Sequence, residues 1–159
     1  MTDTYPTRPI VIDTREQTPW SFNPELVTIE HRALDQGDYT LNELESFIVI
    51  ERKELGDFVA CCGRERERFE NELARLQSFV RHPYVVVEAS IDKIARGEFL
   101  GFMEPTAIIG SIAAWTLDFG VHFVFGHDRL HSAAFAMRLL KKAEERYDET
   151  MLARRKRQK

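Results

Sequence analysis

Two acids and a lysine stand at a spacing that suits phosphodiester chemistry. Asp38 is followed, after twelve residues, by Glu51 and then, two positions on, by Lys53. Residues two apart on a strand share a face, so Glu51 and Lys53 point the same way if this stretch is extended. An adjoining strand that carries Asp38 adds a second carboxylate. Such oxygens are hard ligands for Mg²⁺ or Mn²⁺, ions usually held by one or two carboxylates together with water and substrate phosphate. A metal held there acidifies its water and neutralises charge building on phosphorus. A lysine beside it orients the water or stabilises the same charge. Asp13 and Glu16 follow the first apolar run and are candidate further metal ligands with Asp38 and Glu51. Asp57, one helical turn beyond Lys53, is a candidate to bind metal through water or to hold Lys53 and Arg52 in place. The same spacing also fits a solvent-facing ladder of ion pairs. Two features oppose the ladder: the charges directly follow four apolar residues, and acids converge from separate elements, which is costly unless a cation is supplied.

These residues need a scaffold. Pro9 to Asp13 is β-branched and apolar and predicts a buried strand that delivers Asp13 at its end. Thr14 to Pro24 is a loop, and the alternation over Leu26 to His31 predicts a second strand. Gly37-Asp38-Tyr39 and Phe47 to Lys53 predict a hairpin across a five-residue connection, which brings Asp38 and Glu51 together. From Leu55 to about Arg81 the apolar spacing is helical, with Gly63 interrupting it. A strand over Tyr84 to Glu88, a brief helix over Ile91 to Arg96 and a helix from Pro105 to Leu117 follow. Val121 to Phe125 is the last strand, and Asp128 caps a final helix to about Arg146 or beyond. The expected fold is a single α/β domain over residues 1–150, a mixed central sheet flanked by helices, with a basic tail at 151–159.

Composition narrows the class. Of 159 residues, 43% are hydrophobic, enough for a core, and the net charge is −4, so any nucleic-acid contact must come from a local basic patch. The last six residues hold five cations and read either as an arm that touches phosphates or as a charged terminus. Cys61 and Cys62 are adjacent, which excludes an ordinary disulfide between them and fits an intracellular setting, cytoplasmic in a prokaryote or virus and nuclear in a eukaryote. No apolar run is long enough for a membrane span. His127 and His131 lack a third ligand at zinc spacing. Trp20 and Phe22 either stack on an unpaired base or pin their loop to the core. Trp115, Phe123 and Phe125 are expected in the core or a subunit interface. The apolar excess at Ile108 to Leu117, Leu130, Phe135, Leu139 and Leu140 points to a second copy or partner subunit.

Several motifs resemble those of the XPF-type, or ERCC4-domain, structure-specific endonucleases. Asp13-Thr14-Arg15-Glu16 resembles their D-x-R-E segment, Gly37-Asp38-Tyr39 their G-D-Y, and Glu51-Arg52-Lys53-Glu54-Leu55-Gly56-Asp57 their E-R-K-x-x-x-D signature. Arg68-Phe69 resembles the R-F of the next helix, and Val85-Val86-Val87-Glu88 the apolar strand ending in Glu. The resemblance implies a restriction-endonuclease-like fold and Mg²⁺- or Mn²⁺-dependent cutting of branched, flap, fork or junction DNA. It implies that Asp13, Glu16, Asp38, Glu51, Lys53 and Asp57 are active-site positions, and that Arg52 and Arg68 face that site, Arg52 as a candidate catalytic residue and both as candidate DNA contacts. Arg15 is a candidate to pair with a site carboxylate or grip a phosphate bidentately. Glu72 stands where relatives often carry Gln. Many relatives add a tandem helix-hairpin-helix domain; these 159 residues are expected to hold DNA without one. Two other functions share the pattern: an inactive DNA-binding partner subunit, and a nuclease of the same fold that cuts linear duplex.

Overall fold

The computed structural model describes residues 4–158. Six short strands form one sheet: β1 (Ile10–Ile12), β2 (Ile29–His31), β3 (Tyr39–Leu41), β4 (Ile48–Lys53), β5 (His82–Val87) and β6 (His122–Phe125). Their spatial order is β2-β1-β3-β4-β5-β6. β3 is antiparallel to both β1 and β4, while the β1–β2, β4–β5 and β5–β6 pairs are parallel. The helices are α1 (Leu55–Cys62), α2 (Arg66–Phe79), α3 (Ile91–Ala95), α4 (Pro105–Phe119) and α5 (Arg129–Arg157). This is the mixed sheet flanked by helices that the patterning predicts.

Both faces of the sheet are covered, which is why β1, β4 and β5 read as continuous apolar runs rather than alternating ones. One core lies against α1, α2 and α4 and contains Val49, Phe58, Phe69, Leu73, Val85, Val87 and Trp115. The other lies against α5 and contains Ile10, Ile12, Tyr39, Ile48, Ile50, Val86, Ala136 and Leu140. Strand alternation therefore divides β4 between two environments. Val49 faces α1 and α2, and so do Glu51 and Lys53, two and four positions on; Ile48, Ile50 and Arg52 face the α5 side.

Local chemistry sets the element ends. Pro105 opens α4, and Gly120 closes it in the left-handed region at φ 59°. The Asp128 side chain caps α5 by accepting from the His131 backbone N–H at 2.8 Å. The helical stretch after Lys53 is broken at Gly63 into α1 and α2.

Some expectations change. Regular pairing of β2 begins only at Ile29, and β5 begins at His82. Phe79, at the end of the stretch whose apolar spacing is helical, is exposed rather than packed on the core. The basic residues Arg154 to Arg157 are the last turn of α5, exposed but helical, not a separate arm; Lys159 lies outside the described residues. Trp20 is buried and stacks on Tyr39 at 4.5 Å between ring centroids, with Phe22 edge-on to the same ring, so both pin the loop to the core. No helix among the described residues is long and apolar enough to cross a membrane.

The turn into β3 places a strict demand on Gly37. It sits at φ +67°, and a Cβ there would overlap Val49 Cγ1 and lie 3.2 Å from the Ile50 carbonyl oxygen. Gly37→Ala is expected to destabilise the fold by about 2–3 kcal/mol, combining left-handed strain with overpacking. Urea unfolding measures this, and a loss under about 0.5 kcal/mol would remove the constraint.

Candidate active site

Asp38 and Glu51 come together at the end of the hairpin. Tyr39 pairs with Ile50 in antiparallel register, and Asp38 and Glu51 adjoin that pair on their own strands, where their carboxyls line the same two clefts. The Asp38 backbone N–H donates to the Ile50 carbonyl at 2.9 Å, and the Arg52 N–H donates to Asp38 Oδ2 at 2.7 Å. Lys53 Nζ donates to Glu51 Oε1 at 2.5 Å and lies 3.9 Å from Glu72 Oε2 on α2. The Phe69 ring, 5.2 Å from the ammonium, backs the lysine from the core side.

Burial is the largest influence on both acids. It pushes the Asp38 carboxyl up to about 6 and, with the Asp38 charge adding to it, pushes Glu51 well above the ordinary carboxylate range. Burial acts to lower Lys53, but the charges of Glu51 and Glu72 outweigh it and raise the ammonium, which is therefore held protonated. The lysine thus compensates this acidic pair only in part, and the pair retains an affinity for positive charge.

Asp13 and Glu16 are positioned differently. Asp13 is 2% exposed and accepts from Arg15 Nε and Nη2 at 2.8 and 2.9 Å and from the Leu34 N–H at 2.7 Å. The Arg15 bonds hold its carboxyl down at about 2 despite its burial. Glu16 accepts from Arg52 Nε at 3.1 Å and Nη2 at 3.3 Å. Each expected ligand is thus the acid of an arginine pair. Among the described residues no three ligating side chains are grouped closely enough to hold an ion by themselves. Of these four expected ligands, Asp38 and Glu51 are the two with no arginine ion pair among the described residues.

Arg52 is held among acids. Its side chain is 5% exposed and pairs with Glu16, with Glu54 at 3.3 Å and with Glu88 at 3.2 Å, while Thr18 Oγ1 also accepts from it. It is bound into the loop after β1 while still lining the cleft there, so its charge is already shared among three acids. The same network extends to Glu88, which the resemblance marks only as the end of a strand, and to Arg129, which sequence reasoning missed. Glu88 accepts from Trp20 Nε1 at 2.7 Å and Arg129 Nη1 at 3.2 Å, and Arg129 also donates to the Thr18 and Pro19 carbonyls. No spacing signals contacts that cross more than a hundred positions.

Two adjoining clefts open on the carboxylate pair. One, of about 390 Å³, is lined by Arg15, Glu16, Asp38, Glu51, Lys53 and Asp57, among others. Asp57 is exposed in the first turn of α1 and, among the described residues, makes no ion pair, so it does not hold Lys53 or Arg52. The other, of about 300 Å³, includes Asp13, Asp38, Glu51, Arg68, Glu72 and Arg75. Arg15 and Arg68 are each 70% exposed there. Cys61 and Cys62 are buried thiols, pushed up by burial to about 11 and 12, and unsuited to nucleophilic work.

A mixed sheet between helices, with acids and a lysine at the open end of an antiparallel pair, defines a restriction-endonuclease-like fold. The chain belongs to the ERCC4-domain family, whose model matches residues 12–139. The fold is that of XPF from Aeropyrum pernix: one structure superposes with a TM-score of 0.64 at 22% identity, covering 84% of this chain and 59% of that one. A second structure of that protein, in complex with DNA, gives 0.65 at 23% identity, covering 87% and 66%. The protein MJ1505 of Methanocaldococcus jannaschii, provisionally named an ATP-dependent RNA helicase, is 27% identical over 145 residues, 91% of this chain and 17% of that protein. The chain therefore spans less than two thirds of each of these relatives.

Two predictions test the site's electrostatics. With a folded-state value raised above its unfolded one, Asp38 takes up a proton on folding, so its contribution to stability falls as pH rises from about 4 through 6. Asp38→Asn should therefore be more stable relative to the parent at pH 8 than at pH 4, by on the order of 2 kcal/mol. A difference that does not change between those pH values in metal-free thermal unfolding would contradict the raised value. Arg52→Ala should unfold more readily by about 3 kcal/mol, since it leaves buried acids unpaired; unchanged stability with weakened DNA binding would make Arg52 a DNA contact instead.

Proposed function

We propose that the chain is a Mg²⁺- or Mn²⁺-dependent DNA endonuclease acting on branched DNA such as flaps, forks or junctions. The observation that carries this reading is the Asp38–Glu51 pair, one half-buried and the other buried, with Lys53 beside it and both carboxylates lining a cleft. The donor set fits the ion: two hard carboxylates, incompletely compensated, are what Mg²⁺ or Mn²⁺ needs from a protein when waters and substrate phosphate complete its shell. Family membership and the DNA complex of the Aeropyrum pernix protein support DNA as the substrate.

Asp38 and Glu51 would hold the ion, which when bound supplies Lewis acidity and a water of lowered pKa. Lys53, held protonated by Glu51 and Glu72, acts as a fixed cation beside the phosphoryl oxygens, where negative charge grows in the transition state. Arg15 and Arg68 offer exposed guanidinium groups to flanking phosphates. Arg52, through Glu16, Glu54 and Glu88, keeps the loop after β1 in register with β4. Asp57 lines the cleft, where it can act through water. Asp13 and Glu16 could act as ligands only by giving up their arginines.

Other surfaces serve the same reading. Leu117, Leu130 and Phe135 are exposed apolar groups on α4 and α5, suited to a second copy or a partner subunit. The basic end of α5 offers further phosphate contacts well away from the chemistry. Arg129 touches the loop beside the cleft, whereas Glu144 and Asp148 of α5 hold Thr7 and Arg8 ahead of β1, at the sheet's opposite end.

The test is cleavage of labelled flap, fork, Holliday-junction and linear duplex DNA with Mg²⁺ or Mn²⁺. Cutting confined to the branched substrates is expected, abolished in Asp38→Asn and Glu51→Gln. Lys53→Ala should lower turnover by about 10²-fold or more, with a much smaller change in DNA affinity. Equal cutting of linear duplex would make it a nuclease without junction preference. Binding without cutting on all four would make it a non-catalytic partner.

A further inference from the structure

Four cations line the cleft of about 300 Å³ beside Asp38 and Glu51: Arg15, Lys53, Arg68 and Arg75. Three are already committed. Arg15 is paired with Asp13, Lys53 with Glu51, and Arg68 with Glu65. Arg75 is exposed on α2 and, among the described residues, forms no ion pair or side-chain hydrogen bond. Glu72 and Asp35 line the same cleft, yet neither pairs with it. We propose that Arg75 is a phosphate-binding residue, holding a backbone phosphate of the DNA strand on the α2 side of the scissile bond.

Three observations meet here. First, Arg75 lies seven residues beyond Arg68, two turns along one face of α2, so the two guanidiniums are stacked along the cleft wall. Their separation along the axis is ~10 Å, about three nucleotides at 3.4 Å per step of one strand. Secondly, the charge is uneven. The adjoining cleft of about 390 Å³ is lined by five acids, Glu16, Asp38, Glu51, Glu54 and Asp57, against three cations, Arg15, Arg52 and Lys53, whereas Arg75's cleft sets four cations against five acids. Flanking phosphates are therefore less disfavoured on the α2 side. Thirdly, five acids face the four cations in Arg75's own cleft, so a phosphate entering it meets an acidic surround in which one cation remains uncommitted. That makes Arg75's charge count for more than that of a cation already shared with an acid. The proposal rests on the nuclease reading for the identity of the strand, not for the phosphate contact itself.

Binding and cleavage separate the two. Binding is measured by fluorescence anisotropy with Ca²⁺ on flap DNA, comparing Glu51→Gln with Glu51→Gln/Arg75→Ala. Cleavage by the parent is compared with Arg75→Ala and Arg75→Lys. Substrates carry a single methylphosphonate at each position within about four nucleotides on either side of the cut or, without cutting, of the branch point. Removing Arg75 should weaken binding about tenfold and reduce the salt slope by about 0.7–0.9, one phosphate contact. Arg75→Lys should keep most of the affinity. A neutralised phosphate at one position, on one side only, should cost the parent what Arg75→Ala costs, and cost Arg75→Ala nothing further. Losses that add at every position, or unchanged binding by Arg75→Ala in a chain that cleaves, would overturn the proposal and leave the nuclease reading standing. An Arg75-dependent contact in a chain that cuts nothing would uphold the contact and remove the nuclease reading. No binding by the parent would overturn both.

Discussion

Much of this molecule is organised around one unfavourable contact: two neighbouring carboxylates, half-buried Asp38 and buried Glu51, where β3 and β4 meet. Like charges brought close across a strand pair destabilise a sheet, and burial sharpens the cost. The fold tolerates the contact because its neighbours compensate. The Arg52 N–H donates to Asp38, and Lys53 bonds Glu51. Those donors are backbone and near-neighbour groups, fixed by the same hairpin that creates the problem. Compensation is incomplete, as the raised Asp38 and Glu51 show. Strain of this kind is what a site built for an added cation requires.

The opposite face of β4 supplies the rigidity. Glu51-Arg52-Lys53 alternates, so Glu51 and Lys53 leave one face of β4 and Arg52 the other, and all three reach the cleft of about 390 Å³ at the strand's end. There it meets Glu16, Glu54 and Glu88, and Glu88 in turn receives Trp20 and Arg129. Three segments far apart in sequence are tied at one carboxylate: the loop after β1, the end of β5 and the start of α5. Buried charge pairs of this sort add little net stability compared with apolar packing. They do specify geometry, because a shifted β4 would leave several buried charges unpaired at once. The tripeptide thus does two jobs by strand periodicity alone.

Legibility from sequence followed the range of the interactions. The hairpin was legible because its apolar run ends in charges and its turn is local. Gly37 and Asp38 were legible as a turn leading into a strand, and the α1–α2 break was marked by Gly63. Motif resemblance marked Asp13, Glu16 and Arg52 as site residues but not their roles. Each is engaged by a partner that depends on how side chains close in space, two positions away for Asp13 and thirty-six for Glu16. Glu88–Arg129 and the burial of Trp20 are tertiary facts with no periodic signature. Arg75 was hidden for the opposite reason: on α2 it reads as one more charge on a solvated face. Its distinction is the absence of a partner, which only the packed structure among its described residues reveals.

Charge balance links the proposed chemistry to the proposed grip. The chain carries −4 overall, and the cleft beside α2 holds five acids against four cations. A polyanion approaching that surface is not favoured by net charge. One divalent cation on Asp38 and Glu51 reverses the sign of the cleft, from a net −1 to a net +1. On the proposed reading, metal and DNA therefore bind cooperatively even with no conformational change, since each supplies the charge that the other lacks. The arrangement also limits where DNA can dwell. Without metal, the acids repel phosphates from the Asp38–Glu51 pair, while Arg75 and the distant basic end of α5 offer peripheral holds. Engagement of a phosphate over Lys53 then depends on the ion, so that the step that admits the substrate is the one that equips the site to cut it.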